Sequence, residues 1–342
     1  MRKLLLGVAT LLATLSASAI DDNTVVVTYD GNSASIEIAS NISNYVSCTS
    51  GTSSHVKLVQ SDNVNDKVGE ILYTLKGSSS NGEFFMEGSY KATVVLDGLT
   101  LTNPDSTAIH IKNGKRIKVS LTNGTTNTLA DGSSNADSKG CFHSKGHTEF
   151  VGKGTLNINS YFRHAIYSKE YMTVKNCTIN VTGAKKDAIH CQQYFLMNSG
   201  SINISNVEDD GIQVEYKDSS NPTGVKTNHE DEDSGNFYMI GGTISMTGVG
   251  DKCVKTDGTI SMTGGTQDFD TSNVLENALI SGIKALKANT TDDDAMYDLS
   301  GRRLPKGTRK KGIVIRRGII TVNGGNGAVD PTSGNNDNGG KL

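Results

Sequence analysis

The chain has 342 residues, a formal net charge of −3 and no basic surface interleaved with aromatics, so composition gives no argument for nucleic-acid binding. Its 38 Gly, only 4 Pro and no Trp, with abundant Thr, Ser and Asn, suit many short strands joined by tight turns and exclude a mainly helical protein. The length fits two domains or one long solenoid.

The first residues read as an export signal, 1–19. Arg2-Lys3 is the basic start, Leu4 to Leu15 the apolar stretch, and Ala17-Ser18-Ala19 a small-residue cleavage site. The apolar stretch is too short to span a bilayer. The mature chain is expected to begin near Ile20, outside the cytoplasm: extracellular, on the cell surface or in the periplasm.

Residues 21–95 contain alternating segments (Thr24 to Tyr29, Ser35 to Ile38, Tyr73 to Leu75) without a fixed period. They are expected to cap the N-terminal end of a repeat array. Repeats begin at Val94 and become regular further on. A small residue followed by Thr or Ser opens each copy: Gly154-Thr155, Cys177-Thr178, Gly200-Ser201, Gly242-Thr243 and Gly265-Thr266, at steps of 23, 23, 42 and 23 residues. The long step is a copy carrying an insertion of 19 residues after Glu215. Each copy alternates apolar and polar residues, the strand period. Three columns emerge: Leu156, Ile179, Ile202 and Ile244; Phe142, Ile166, Ile189, Ile212 and Val254; Met172, Phe195, Phe237 and Ile260. A neighbouring column reads Val151, Val174, Met197, Met239 and Met262. Three short strands per 23 residues make one coil of a β-solenoid, rising roughly 4.8 Å per coil. Parallel crossovers favour the right-handed path. The predicted fold is all-β: a right-handed parallel β-helix over 20–268. The Asn column Asn157, Asn180, Asn203 is either a hydrogen-bonded ladder or the solvent face of the alternation.

Beyond Asp268 the pattern stops. Residues 269–295 read as a linker with a short helix from Val274 to Ala288, 296–323 as a small separate β unit, and 324–342 as a disordered tail. The five cysteines form no zinc-type pair. Cys141, Cys177, Cys191 and Cys253 stand in repeat slots and read as small buried residues.

The chemistry collects on one flank of the Ile column. Before each strand stand His164, Asp187, Asp210 and Lys252, with Asp209 and Asp251 one position earlier. After the Ile stand His110, His143, Tyr167, His190, Gln213 and Lys255. Two residues on are Lys169, Gln192, Glu215 and Asp257. Stacked carboxylates repel, and a hard cation removes that cost. Asp187, Asp209, Asp210, Glu215 and Asp251 are therefore candidate Ca2+ ligands, against the alternative of a solvated acidic turn. The run His229 to Asp233 in the insertion reads as a solvated loop.

The segments Ala108-Ile109-His110, Asp187-Ala188-Ile189-His190, Asp210-Gly211-Ile212-Gln213-Val214-Glu215, Ile240-Gly241-Gly242-Thr243-Ile244 and Gly250-Asp251-Lys252 resemble a bacterial carbohydrate-binding β-helix family related in fold to pectate lyases. The resemblance implies a secreted or surface protein that binds calcium and plant-type polysaccharide, pectate or cellulose. His164 and Lys252 depart from it, standing where neighbouring coils carry Asp. The C-terminal segment Tyr297-Asp298-Leu299-Ser300-Gly301-Arg302, followed by Gly312 to Ile315, resembles a type IX secretion sorting domain.

Three functional readings are open. The first is a non-catalytic, calcium-assisted polysaccharide-binding protein, acting as a monomer. In it Tyr167, His190, Gln213 and Lys255 contact successive sugars, and Tyr161, Tyr171 and Tyr194 offer further ring faces. The second is a calcium-dependent lyase with Lys252, Lys255 or Lys169 as the base of a β-elimination. The third is a structural or adhesive solenoid.

Overall fold

The computed structural model describes residues 20–134, 138–216, 234–276, 296–297, 304, 312–316 and 319–323. Residues 1–19, read above as an export signal, residues 217–233 of the insertion, residues 277–295 and residues 324–342 lie outside them. The described chain is all-β, with one short 3-10 turn at Ser40–Ile42. Its strands stack in parallel, coil upon coil, into a solenoid with three walls.

One turn of the chain shows how. Thr148–Gly152 lies on the third wall, Thr155–Asn159 on the first and His164–Ser168 on the second. Each pairs in parallel with its equivalent in the next coil: Met172–Val174, Thr178–Gly183 and Ile189–Gln192. The alternation within Thr155–Asn159 sends Leu156 and Ile158 inward, where both are buried. The register runs Leu156, Ile179, Ile202, Ile244 on the first wall. On the second it runs Phe142, Ile166, Ile189, Ile212, Val254. On the third it runs Met172, Phe195, Phe237, Ile260. These inward columns are the core expected from the period. The first and third walls form one continuous sheet, because Ala92–Asn103 and Asn236–Val249 each turn the corner without a break. The second wall is a sheet of its own.

Three expectations change. Phe150, not Val151, opens the column Val174, Met197, Met239; the turn after it holds one more residue, so the register there steps by 24 rather than 23. The segment Val274–Glu276, expected to start a helix, is a strand paired in parallel with Val254–Thr256, so the stacking passes Asp268. The stacking also begins earlier than the repeats: Thr24–Asp30 pairs in parallel with Ile71–Ser79, and His55–Gln60 with Glu83–Glu87. Among the described strands of the stack, Ser33–Ile38 and Val46–Cys48 alone run antiparallel, and they close the N-terminal end. Separately, Met296–Tyr297, Gly312–Arg316 and Ile319–Asn323 form a three-stranded antiparallel sheet.

Candidate functional site

The second wall alternates along its strands, so the residue after each inward Ile faces out. Stacking puts these in register as Phe85, His110, His143, Tyr167, His190, Gln213, Lys255 and Leu275. The predicted sugar contacts Tyr167, His190, Gln213 and Lys255 are thus consecutive rungs of one column. Its aromatic half packs ring on ring: His110 on His143 at 4.6 Å, and Tyr167 on His190 at 5.1 Å between centroids. Ring packing covers the middle of the column. Tyr167 is 2% exposed and His190 6%, whereas Gln213 and Lys255 are half-buried and reachable. Tyr171 is likewise sandwiched between His147 and Tyr194. Of the four tyrosines expected to offer ring faces, Tyr161 keeps an open one, at 51% exposure.

The turn before each strand brings the charged groups against this column. Asp187 is fully buried. Its Oδ1 accepts the Asp210 backbone N–H at 3.2 Å, and its Oδ2 accepts His190 Nδ1–H at 2.8 Å. His164 Nδ1, from the coil before, stands 3.1 Å from the same Oδ2. His190 Nε2 lies 3.3 Å from Glu215 Oε2, and Glu215 also accepts from Gln213 at 2.9 Å. Asp210, fully buried too, accepts Lys255 Nζ at 2.9 Å and the Lys252 backbone N–H at 3.0 Å. Asp251 holds Lys252 Nζ at 2.8 Å on the surface.

These contacts set the charges. Burial raises the Asp187 carboxyl, but His164 and His190 outweigh it and hold it well below the usual carboxylate range. Burial lowers His190, but Asp187 and Glu215 overcome that and lift it to about 9, so it is an imidazolium at neutral pH. His190 in turn holds Glu215 low. Burial lowers His164 and takes His143 to about 3, leaving both neutral. Burial raises Tyr167 to about 12, so it stays a phenol. Burial raises Asp210, against the pull of Lys255. Lys255 is raised by Asp210, and Lys252 by Asp251.

Among the described residues two groups of three converge closely enough to hold an ion: Asp187, Asp209 and Asp210, and His164, Asp187 and His190. Of the five predicted calcium ligands, three meet. Glu215 lies across His190 from Asp187 and Asp251 pairs with Lys252; neither belongs to a group of three. His164, read from sequence as a departure in an Asp slot, and His190, read as a sugar contact, are the partners of Asp187 that sequence reasoning did not assign. Their signal was present in the register: His164 shares the Asp187 slot, and His190 follows Asp187 by three residues.

A second outward surface lies on the first wall. Asn180 Nδ2 donates to Asn157 Oδ1 and Asn203 Nδ2 to Asn180 Oδ1, both at 2.8 Å, so the Asn column is a hydrogen-bonded ladder. Ser245 continues the row by donating to Asp268. The ladder lines a shallow groove with Thr182, Ser205 and Thr247. The groove carries no ionisable group, so the charged chemistry belongs to the second wall.

A family model described as carbohydrate-binding domain-containing protein matches residues 61–342. The chain belongs to that family. A relative carrying the same description, from Acetivibrio thermocellus, is 30% identical over 104 residues, covering 28% of this chain. The match spans 36% of that relative's length. A solved structure described as the polysaccharide lyase-like protein from C. thermocellum, gadolinium derivative, superimposes with a TM-score of 0.53 at 18% identity. It covers 74% of this chain and 99% of the other. That likeness shows a shared fold. In this member of the carbohydrate-binding family, the fold's second wall carries the balanced charge cluster, and its first wall carries the uncharged ladder.

Proposed function

We propose that the chain is an exported polysaccharide-binding protein that holds acidic plant-type glycans such as pectate on the flank of its second wall, with help from calcium, and does not cleave them. The observation that carries the reading is the juxtaposition on that flank. Gln213 and Lys255, reachable rungs of one column, stand beside the converging carboxylates of Asp187, Asp209 and Asp210. A member of a carbohydrate-binding family that repeats polar groups every ~4.8 Å is suited to an extended polymer. Calcium takes six to eight oxygen ligands in flexible geometry. The three carboxylates match it in chemistry and supply part of that number, which leaves positions for uronate carboxylates and water. Asp251 and Glu215 balance Lys252 and His190 instead. The solenoid's right-handed winding rests on the general preference of parallel crossovers. Export rests on the signal at residues 1–19, and sorting is the role proposed for the small sheet within 296–323.

Against the lyase reading stands the setting of its candidate bases. A lysine that removes a sugar proton needs its pKa brought down toward neutrality. The carboxylates beside Lys252 and Lys255 push both up. Lys169 is exposed on a turn.

The test is affinity electrophoresis of the mature protein in polygalacturonate. Retardation is expected with calcium, loss of it with EGTA, and recovery on adding calcium but not magnesium. Asp209→Asn should weaken retardation several-fold. Retardation indifferent to EGTA would remove calcium from the mechanism. Release of unsaturated uronide products would restore the lyase, and failure to bind any acidic glycan would overturn the whole reading.

A further inference from the structure

We propose that His164, Asp187 and His190 bind a divalent cation of the zinc class. The three come from two adjacent coils of the second wall. His164 opens one strand, Asp187 occupies the equivalent slot a coil later, and His190 follows the inward Ile189. Stacking alone makes them neighbours: Asp187 Oδ2 lies 2.8 Å from His190 Nδ1 and 3.1 Å from His164 Nδ1, and the two rings are 4.6 Å apart. Tetrahedral zinc with bonds of about 2.0–2.1 Å separates its ligand atoms by about 3.3 Å. Asp187 Oδ2 is a few tenths of an ångström inside that spacing from each nitrogen, and the three ligand atoms lie within 4.8 Å of one another.

Two features favour a metal over a plain charge cluster. His164 is 8% exposed, and its Nδ1, although close to the carboxylate, makes no hydrogen bond. A buried ring nitrogen whose neighbour is a carboxylate out of hydrogen-bond alignment is under-satisfied, and a metal ligand role completes it. The surroundings also supply the outer support that metal-bound histidines carry. Glu215 receives the Nε2–H of His190 and so aims Nδ1 at the site, while Tyr167 stacks on the ring and fixes its plane. On binding, His190 gives its Nδ1 proton to solvent and keeps the Nε2–H on Glu215.

The ligand set selects the ion. Two imidazoles and one carboxylate suit zinc, cobalt, nickel or copper, whereas calcium and magnesium take oxygen. Three protein ligands leave the fourth position to water or to a sugar hydroxyl. Asp187 also belongs to the all-oxygen group with Asp209 and Asp210, and its Oδ1 accepts the Asp210 backbone N–H.

The experiment is calorimetric titration of the metal-free mature protein with zinc chloride, in excess calcium. One zinc per chain is expected, undisturbed by calcium. Affinity should fall at least tenfold in His164→Gln and in His190→Gln, with folding of each checked by circular dichroism without metal. Zinc should raise the melting temperature of the wild type and of neither variant. The wild type also gives a test that needs no variant. Cobalt(II) should develop the intense visible absorption of a tetrahedral site, and the weak bands of octahedral cobalt would overturn the proposal. No zinc binding, binding retained in both variants, or displacement by calcium would overturn it as well. These outcomes are separable from glycan binding, because no polysaccharide is present.

Discussion

Asp131 is a buried carboxylate on the first wall whose hydrogen-bond donors are neutral. It accepts Ser160 Oγ at 2.8 Å and the Tyr161 backbone N–H at 2.6 Å. Burial outweighs both and pushes the carboxyl up to about 6. A folded pKa raised above the unfolded value near ~3.9 means that protonation favours the fold. That contribution is fully present below the unfolded pKa and is lost as pH rises through about 6. At neutral pH the ionised group therefore costs on the order of 2 kcal/mol. Asp131→Asn keeps the shape and an accepting oxygen. Urea unfolding should show it more stable than the wild type by about 1–2 kcal/mol near neutral pH, with the gain shrinking below the folded pKa. A gain that does not change with pH would refute the assignment. Asp187 is the opposite case, a buried carboxylate whose histidines hold it ionised.

At the scale of the element, the corners decide which residues are tolerated. Gly98 and Gly200 both adopt left-handed backbone, at φ +73° and +92°. A Cβ at Gly98 would meet open space, whereas one at Gly200 would run into the carbonyl of Cys177 in the coil before. The left-handed region alone costs an L residue about 1–2 kcal/mol. Gly98→Ala should lose about that much, and Gly200→Ala more than about 3 kcal/mol, because the stacked backbone must also move. Equal losses in urea would show that conformation, not crowding, governs the corner. The same stacking explains what the sequence discloses. Where coils have equal length, Leu156, Ile179 and Ile202 recur at the strand spacing, and the walls can be read directly. Where coil length varies, as from Phe84 to Ile109 to Phe142, no period survives, although the pairing does. Val274–Glu276 escapes because a shortened, polar coil carries it. Of the site, register was legible and burial was not: alternation marks Tyr167 and His190 as outward-facing, but only the ring packing shows that outward is not exposed.

For the molecule as a whole, a parallel stack has two ends, and each is a row of unpaired backbone groups ready to pair with another chain. The N-terminal end is closed by reversal of direction. Ser33–Ile38 runs antiparallel on Thr24–Asp30, and Val46–Cys48 on His55–Gln60. The cap also carries core, since Val25, Val27, Ala34, Ile42 and Val46 are buried. A chain starting after Cys48 would therefore bare the edges of Ile71–Ser79 and His55–Gln60 and lose the apolar lid above them. The long-range pairing of the walls makes refolding slow, and slow-folding edges are the ones that associate. The truncated protein is expected to form concentration-dependent oligomers by light scattering and to melt earlier than a chain that starts at Ile20. A truncated chain that stayed monomeric with an unchanged melting temperature would show that the stack closes its own end without the antiparallel strands.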